Sequence, residues 1–380
     1  MKALLLVVFA AAGWAQTITG NDRATADAFW STYYSPAANP PNPGWTSRSQ
    51  CDPGATSVEY QAVVLKRINY FRRMTGIQDL EIEPKFLSNV QNAAFMMSTN
   101  GTLNHHPPTT WTCYTPAGAD GAARSNMGSG TTLSMVIDGQ FMEDRTNNPN
   151  VGHRRYLLEP LMWKTATGHV PGELSGKLHY AAFYVVGAPQ RATSMKFPFA
   201  GWPSPGYVPS QLVPKDWSFS IKGVDFNVSK PTVTVNGVKV TPAVTPMWVD
   251  TFIFAPAAAT QYSVSVSYVA GGATKTIQYS VTPYSMAPPP SDFSVYTLFN
   301  SKGIPYRGQF ITASGMDTAS YNLVTGAGDT DNAKFAMEAG NVSFKGTSNL
   351  TAPAPNGAYS IRVRATTPNG QVLEKALQFP

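Results

Sequence analysis

The fold of the first half of the chain is decided by two stretches, VEYQAVVLKRINYFRRMTG at 58–76 and PKFLSNVQNAAFMMSTNG at 84–101. Apolar residues recur in both stretches at intervals of three or four, which is the spacing of one helical face. Gly76 and Gly101 follow the last apolar residues, and glycine often ends a helix because it adopts left-handed backbone angles without strain. The pattern therefore predicts two amphipathic helices, the second of which begins at Pro84.

The residues beyond these helices indicate a mixed domain. A third apolar stripe at Leu133, Ile137 and Phe141 predicts another helix. The run HYAAFYVV at 179–186 is instead typical of a strand. We therefore expect an α+β domain over residues 58–190.

The helical period disappears after residues 193–206, a stretch rich in proline, glycine and aromatic residues that is typical of a connector. Four later segments have the period of two that marks strands, namely WSFSI at 217–221, TVTV at 232–235, YSVSVSY at 262–268 and IQYSV at 277–281. We expect a β-sandwich over 207–285 and a second one over 292–380. The proline-rich residues 287–291 predict a stiff linker between them.

The charge pattern argues against a nucleic-acid partner. The 380 residues carry a formal net charge of +6 and only 13% charged residues, against about 25% in an average protein. The basic residues occur in isolated pairs, such as Arg154-Arg155, and not in runs. A nucleic-acid-binding protein usually concentrates such charge in one patch.

The N-terminus has the pattern of a secretory signal. Met1 and Lys2 precede an apolar run at 3–12, and the small residues Gly13 and Ala15 predict cleavage after Ala15. A membrane anchor is the alternative, but the run is shorter than the roughly 20 residues that a spanning helix needs. We therefore expect a signal peptide at 1–15, an N-terminal extension at 16–57, no transmembrane segment in the mature chain and an extracellular, periplasmic or cell-surface location.

The chain has two cysteines, Cys51 and Cys113. In an oxidising compartment an isolated pair predicts a disulfide. Two unpaired thiols are the alternative.

Five short motifs between 58 and 190 resemble, in order and spacing, those of the CAP superfamily (SCP/PR-1-like proteins). These are Asn69-x-x-Arg72 with Gly76 and Leu80, Gln91-Asn-Ala-Ala94-x-Met96-Met97, Leu103-Asn104-His105, Gly152-His153-Arg154 with Leu157-Leu158-x-Pro160, and Gly168. The resemblance implies an α-β-α sandwich for this part of the chain.

The resemblance also implies a cleft with two histidines and two acidic residues. The first histidine matches His105, with His106 as the alternative, and the second matches His153. One acidic residue matches Asp144, placed on the helix that begins at Leu133. Its neighbour Glu143 is expected to point elsewhere.

The other acidic residue of that cleft is missing, because Ser125 stands where the family carries glutamate. Two imidazoles and one carboxylate suit Zn²⁺ better than Ca²⁺, so the resemblance implies a possible zinc site at His105, His153 and Asp144. Two alternatives stay open. The histidines could only hydrogen-bond within a polar cleft, or Ser125, His153 and Asp144 could form a hydrolytic Ser-His-Asp site.

The last segment resembles bacterial cadherin-like or Ig-like repeats, through Tyr321-x-Leu-Val-x-Gly-x-Gly-Asp and Tyr359-Ser-Ile-Arg-Val-Arg. Asp329, Asp331 and Asn332 offer the oxygen ligands that Ca²⁺ prefers. A turn stabilised by these side chains is the alternative.

These observations favour a non-catalytic, secreted bacterial CAP-domain protein that binds an extracellular protein, glycan or lipid. A metal-assisted or Ser-dependent hydrolase and an extracellular lipid carrier are the alternatives. The remaining histidines, His169 and His179, are expected to be structural.

Overall fold

The computed structural model of the protein describes residues 14–38, 40–45, 51–172, 178–285, 293–299, 305–313, 320–338, 341–344, 358–366 and 372–379. The apolar run 3–12 and the linker 287–291 lie outside these residues. The chain divides into two compact units, Met1–Tyr284 and Ser285–Pro380. Mixed helix and strand content confirms the expected α+β class.

The helices of the first unit begin and end at local sequence signals. The side chain of Ser57 accepts the backbone N–H of Tyr60 at the start of α2, and Gly101 ends α3 with a φ of 69°. Both predicted helices are confirmed. The α-helices are α1 (Arg23–Phe29), α2 (Val58–Met74), α3 (Leu87–Asn100), α4 (Pro116–Arg124), α5 (Leu133–Gly139), α6 (Gly152–Leu157) and α7 (Phe226–Ser229). A π-helical turn at Trp30–Tyr34 and 3₁₀ turns at Ser35–Ala38, Pro84–Phe86 and Ser210–Leu212 accompany them.

Fifteen strands belong to the described residues of the first unit. They are β1 (Trp14–Thr17), β2 (Glu81–Ile82), β3 (Ser125–Gly130), β4 (Lys164–Thr165), β5 (Thr167–Val170), β6 (His179–Tyr184), β7 (Ala200–Trp202), β8 (Gly206–Pro209), β9 (Trp217–Ser220), β10 (Thr232–Val235), β11 (Val238–Val240), β12 (Ala243–Val244), β13 (Thr251–Phe254), β14 (Tyr262–Ala270) and β15 (Ala273–Tyr284).

Three of these strands form the middle layer of the helical part. They are antiparallel in the order β3-β6-β5, and the short β2 and β4 pair separately. A Cβ at Gly168 would lie 2.2 Å from the Val90 backbone, so one sheet face packs on α3. On the opposite face, His169 stacks on Tyr60 of α2, and Gly128 faces α5. The sheet therefore lies between helices on both sides.

The other strands of the first unit form a β-sandwich, which we call the first sandwich. One sheet has the order β1-β15-β14-β10-β11, with β8 also on β15, and the other has the order β12-β13-β9-β7. Aromatic rings fill the space between the sheets; Phe199 and Phe219 both contact Tyr279. Two strands come from outside 207–285, since β1 spans the predicted cleavage point between Ala15 and Gln16 and β7 lies in the stretch predicted as a connector.

The second unit is built of strands in its described residues. β16 (Phe293–Phe299), β17 (Pro305–Ala313), β20 (Asn341–Phe344) and β19 (Phe335–Glu338) form one sheet in that order, and β18 (Ser320–Leu323), β21 (Tyr359–Thr366) and β22 (Val372–Phe379) form another. A 3₁₀ turn at Asn332–Lys334 precedes β19. Phe335, Ile361 and Val363 lie in its buried core.

The predicted disulfide between Cys51 and Cys113 is confirmed, with 5.1 Å between the Cα atoms. It joins the N-terminal extension to the loop after α3. Among the described residues, none of the helices has the length and apolar character needed to span a bilayer.

Candidate functional site

His153, the second residue of α6, is held by a buried carboxylate. Its Nδ1 atom lies 3.0 Å from Oε1 of Glu143, a residue that is only 3% exposed. In the neutral ring Nδ1 therefore carries the proton, because the carboxylate oxygen accepts, and Nε2 keeps its lone pair. Glu143 also accepts from the Asn148 side chain at 2.6 Å and from the Arg154 backbone N–H at 3.0 Å. These hydrogen bonds hold the Glu143 carboxylate in place, and the carboxylate in turn orients the His153 ring.

The acidic residue beside His153 is thus Glu143, and the expectation that Glu143 points elsewhere is wrong. α5 ends at Gly139 and residues 140–151 form turns and loop, so helical spacing does not extend to residue 144. The Asp144 carboxylate instead accepts the hydroxyl and backbone N–H of Thr146 and the N–H of Asn147. These hydrogen bonds hold the pKa of Asp144 below its usual value. Asp144 therefore stabilises a turn.

His105 and Ser125 line the same cavity as His153, which we call the histidine cavity. Its volume is about 280 Å³, and His106 also lines it. Nδ1 of His105 lies 2.8 Å from the carbonyl oxygen of Ala122 and donates to it. Ser125 is 3% exposed, and its Oγ atom has no hydrogen-bond partner in the part of the chain that the structure describes. Three of the four predicted cleft residues are therefore brought together.

The side chains around the histidine cavity do not fit a zinc ion. Zinc sites use at least three protein ligands, and within the described ranges no three His, Cys, Asp or Glu side chains form a group that could hold a metal. His105 and His153 supply two imidazoles, but Asp144 lies in its turn and Ser125 offers only a hydroxyl. The predicted zinc set of His105, His153 and Asp144 thus lacks a third ligand at the cavity.

Residues 245–250 of the first sandwich, which we call the 245–250 loop, form one side of the histidine cavity. The Trp248 ring packs edge-on against Tyr156, with 5.0 Å between ring centroids. The backbone N–H of Met247 donates to Asn150 Oδ1 at 3.2 Å. A Cβ at Gly152 would approach the Trp248 ring to 3.3 Å. The glycine before His153 therefore leaves space for this indole.

Trp248 also lines a larger cavity of about 560 Å³. The two cavities share five lining residues, namely Tyr156, Val185, Val186, Met247 and Trp248. The polar wall of the larger cavity is an ion-pair network in which Arg155 contacts Glu159 at 2.7 Å and Asp250 at 3.0 Å. Lys222 lies 3.3 Å from Glu159. Burial opposes the ionisation of Glu159, but Arg155 and Lys222 outweigh it and lower its pKa.

The histidines predicted to be structural form a buried pair. Nδ1 of His179 lies 3.1 Å from Nε2 of His169, and the His169 ring stacks on Tyr60. Burial, and after it the neighbouring His179, lowers the pKa of His169 to about 3. His169 is therefore neutral at ordinary pH.

The predicted calcium ligands of the second unit form hydrogen bonds within their own turn and to the backbone of strand β21. Asp329 accepts the backbone N–H of Gly326, and Asp331 accepts from Lys334 and from the backbone of Ser360. The side chain of Asn332 bonds the backbone of Val324 and Arg362. These contacts favour the turn, which was the alternative interpretation.

Sequence reasoning missed three residues of the cleft. Glu143 was visible beside Asp144, and only the end of α5 decides between the two. Met247 and Trp248 lie in a Thr-Pro-Met-Trp-Val-Asp segment whose exposed apolar residues between strands were the available signal.

No curated protein matches the chain. Solved structures that resemble it include titin domains z1z2 in complex with telethonin (12% identity, 43% of this chain, 85% of that chain, TM-score 0.24). A second is protocadherin gamma B2 extracellular cadherin domains 1–5 (12% identity, 45% of this chain, 37% of that chain, TM-score 0.19). A third is the N-terminal Ig1-2 module of the Drosophila receptor protein tyrosine phosphatase DLAR (11% identity, 48% of this chain, 97% of that chain, TM-score 0.17). These TM-scores are too low to carry an argument.

A family model matches the helical part of the chain. Residues 65–187 match the family model of CAP, the cysteine-rich secretory protein family. This range contains α3, the three-stranded sheet and all the lining residues of the histidine cavity except Met247 and Trp248. Residues 65–187 of this chain therefore form a CAP domain.

Proposed function

We propose that this protein is an exported, non-catalytic binding protein whose ligand lies in the cleft formed by the histidine cavity and the larger cavity. One observation carries the proposal: the 245–250 loop of the first sandwich lines both cavities, which share five lining residues. Ligand sites commonly have volumes of about 300–1,000 Å³, and the larger cavity has about 560 Å³. The ligand would thus contact both the CAP domain and the first sandwich.

The polar groups of the histidine cavity support binding more than hydrolysis. A serine nucleophile needs a base within about 2.6–3.2 Å of its oxygen. Among the described residues, Ser125 Oγ has no hydrogen-bond partner, and so no base is bonded to it. Glu143 and His153 are held by each other and by the adjacent backbone, so they offer a fixed acceptor, Nε2, to a ligand.

Export is part of the proposal, and its support is the signal pattern at 1–15 together with the Cys51–Cys113 disulfide. Disulfides persist in oxidising compartments. N-terminal sequencing of the protein recovered outside the cytoplasm should begin at Gln16. A cytoplasmic protein that begins at Met1 would contradict export.

Thermal denaturation of the full chain tests binding in the cleft. Three probes are used: a random peptide mixture, a mixture of oligosaccharides, and oleate. At saturation one class should raise the Tm by a few degrees, because a ligand that binds only the native state stabilises it. Trp248→Ala should abolish the shift. Trp163→Ala is the matched control, since the half-buried Trp163 lies against Lys164 and Arg191 and outside the cleft.

A shift that Trp248→Ala leaves unchanged would place the ligand elsewhere, and the absence of any shift would contradict the proposal.

A Ser-dependent hydrolase is the second candidate, because the buried Ser125 hydroxyl lies in the same cavity as the Glu143–His153 pair. Hydrolysis of p-nitrophenyl acetate by the purified chain, abolished by both Ser125→Ala and His153→Ala, would favour it. Equal rates in wild type and Ser125→Ala would exclude this candidate.

A further inference from the structure

The geometry points to an extended peptide segment with apolar side chains as the occupant of the cleft. This inference rests on the proposed binding function and specifies its ligand class. Three features carry it: the length of the groove, the exposed apolar residues along it and the charges of its wall.

The groove is longer than one cavity. A third cavity of about 290 Å³, which we call the side cavity, is lined by His153 and Glu143 and also by Leu103 and Met135. The side cavity shares His153 with the histidine cavity, which in turn shares Trp248 with the larger cavity. Three depressions in series suit a chain-like ligand that places successive groups in successive depressions.

Exposed apolar side chains lie at two places along this series. Met135 is 58% exposed and Leu103 is 39% exposed at the side cavity, and Met247 is 61% exposed where the histidine cavity and the larger cavity meet. Val186 and Val249 are exposed beside Met247. Covering such side chains is favourable because it removes apolar surface from water. A carbohydrate covers aliphatic side chains poorly, so this distribution favours a ligand with apolar side chains.

The wall of the larger cavity argues against a plain acyl chain. Arg155, Glu159 and Asp250 form a largely buried ion-pair network, and Lys222 extends it to the exposed rim. A hydrocarbon placed on this wall would remove water from these charges and supply no hydrogen bonds in return, which is costly. The amide groups of a peptide supply both donors and acceptors.

A peptide can cover the exposed apolar side chains and also supply hydrogen bonds to the polar wall. Main-chain groups of the peptide can bond the polar wall and Nε2 of His153, while its side chains cover the exposed apolar residues. Known peptide-binding sites divide affinity and specificity between main-chain bonds and side-chain pockets in this way.

Selection of random dodecapeptides displayed on phage against the full chain tests the inference. The most enriched peptide is synthesised, and its affinity is measured by fluorescence anisotropy. We expect enriched sequences with two apolar residues separated by polar ones. Met247→Asp and Trp248→Ala should each weaken binding about tenfold or more, as truncation of a central contact does.

Matched controls make the result specific. Val238→Asp places the same charge at an exposed valine of β11 on the first sandwich, and Trp163→Ala removes a tryptophan outside the cleft. Both should bind within about twofold of wild type, as changes outside a contact region do. Because Met247 is exposed, Met247→Asp is expected to fold even if Trp248→Ala does not.

The outcomes separate this inference from the proposed function. If no peptide is enriched but oleate or oligosaccharide gives a Trp248-dependent thermal shift, the cleft binds a ligand and the peptide class is wrong. If peptides bind Met247→Asp and wild type equally, the inferred groove is wrong. If no probe binds at all, both proposals fail.

Discussion

At the scale of single residues, burial separates four of the five histidines into two kinds. His105 and His153 each donate from Nδ1 and leave Nε2 at a cavity that solvent reaches. His169 and His179 are buried against each other beside Tyr60. The first kind can contact a ligand, whereas the second kind packs between α2 and the sheet.

Because His169 is buried, its protonation is expected to destabilise the fold at acid pH. Its pKa is lowered to about 3, against 6.5 for an ordinary histidine. The unfolded chain therefore takes up this proton first. The stability is complete above pH 6.5 and falls by up to about 1.4 kcal/mol per pH unit as the pH drops toward 3. Urea unfolding between about pH 7.5 and 4.5 measures this slope.

His169→Gln is the control for this prediction, because glutamine has no proton to gain in this range. Its stability should depend less on pH than that of the wild type. Parallel slopes for the two proteins would show that His169 is not the titrating group.

At the scale of elements, the close approach of α3 to β5 positions the sheet. Gly168 pairs with Ala182 across the sheet, and its missing side chain lets the backbone of Val90 lie directly over the strand. Strand β3, which begins with Ser125, pairs with the other side of β6. The contact between α3 and β5 therefore helps to place the strand that carries a cleft residue.

Gly168→Ala is expected to destabilise the protein by about 3 kcal/mol or more, because the added methyl group meets backbone atoms that cannot rotate away. Urea denaturation measures the change. Gly139→Ala, at the end of α5, is the control, since a Cβ there has no neighbour within 4 Å. The control should change stability by less than about 1 kcal/mol. Equal effects of the two substitutions would contradict this account of the packing.

At the scale of the whole molecule, long-range contacts join the CAP domain and the first sandwich into one unit. The fully buried Arg154 donates to the carbonyl oxygens of Phe141 and Asp216, and so links the loop after α5 to the start of β9. The N-terminal extension also pairs with β15 through Gln16 and Thr17 of β1. The cleft depends on the contact between the CAP domain and the first sandwich, because Trp248 belongs to the first sandwich.

Removal of the disulfide should weaken this unit through the unfolded state. The bond closes a loop with a sequence separation of 62 residues, which corresponds to about 4 kcal/mol in the chain-entropy account. The double variant Cys51→Ser with Cys113→Ser should lose stability of this order in urea denaturation. Adding a reducing agent should destabilise the wild type but not the double variant. Equal stability of the oxidised wild type and the double variant would contradict the prediction.

The sequence alone determined the elements whose signals are local. Helical spacing and terminal glycines predicted α2 and α3, and period-two segments predicted β9, β10, β14 and β15. The order of short motifs indicated the CAP domain, and two cysteines in a chain with the pattern of a secretory signal predicted their bond. His105, Ser125 and His153 were placed in one cleft because family motifs fix their positions in such a fold.

Only the tertiary structure decided what surrounds those residues. The choice of Glu143 over Asp144 depends on where α5 ends, which helical spacing alone does not reveal. The position of Trp248 depends on contacts with Gly152 and Tyr156, nearly a hundred residues away in the chain. Periodicity reports which face of an element is buried, whereas turn geometry and packing between distant segments decide which side chains meet.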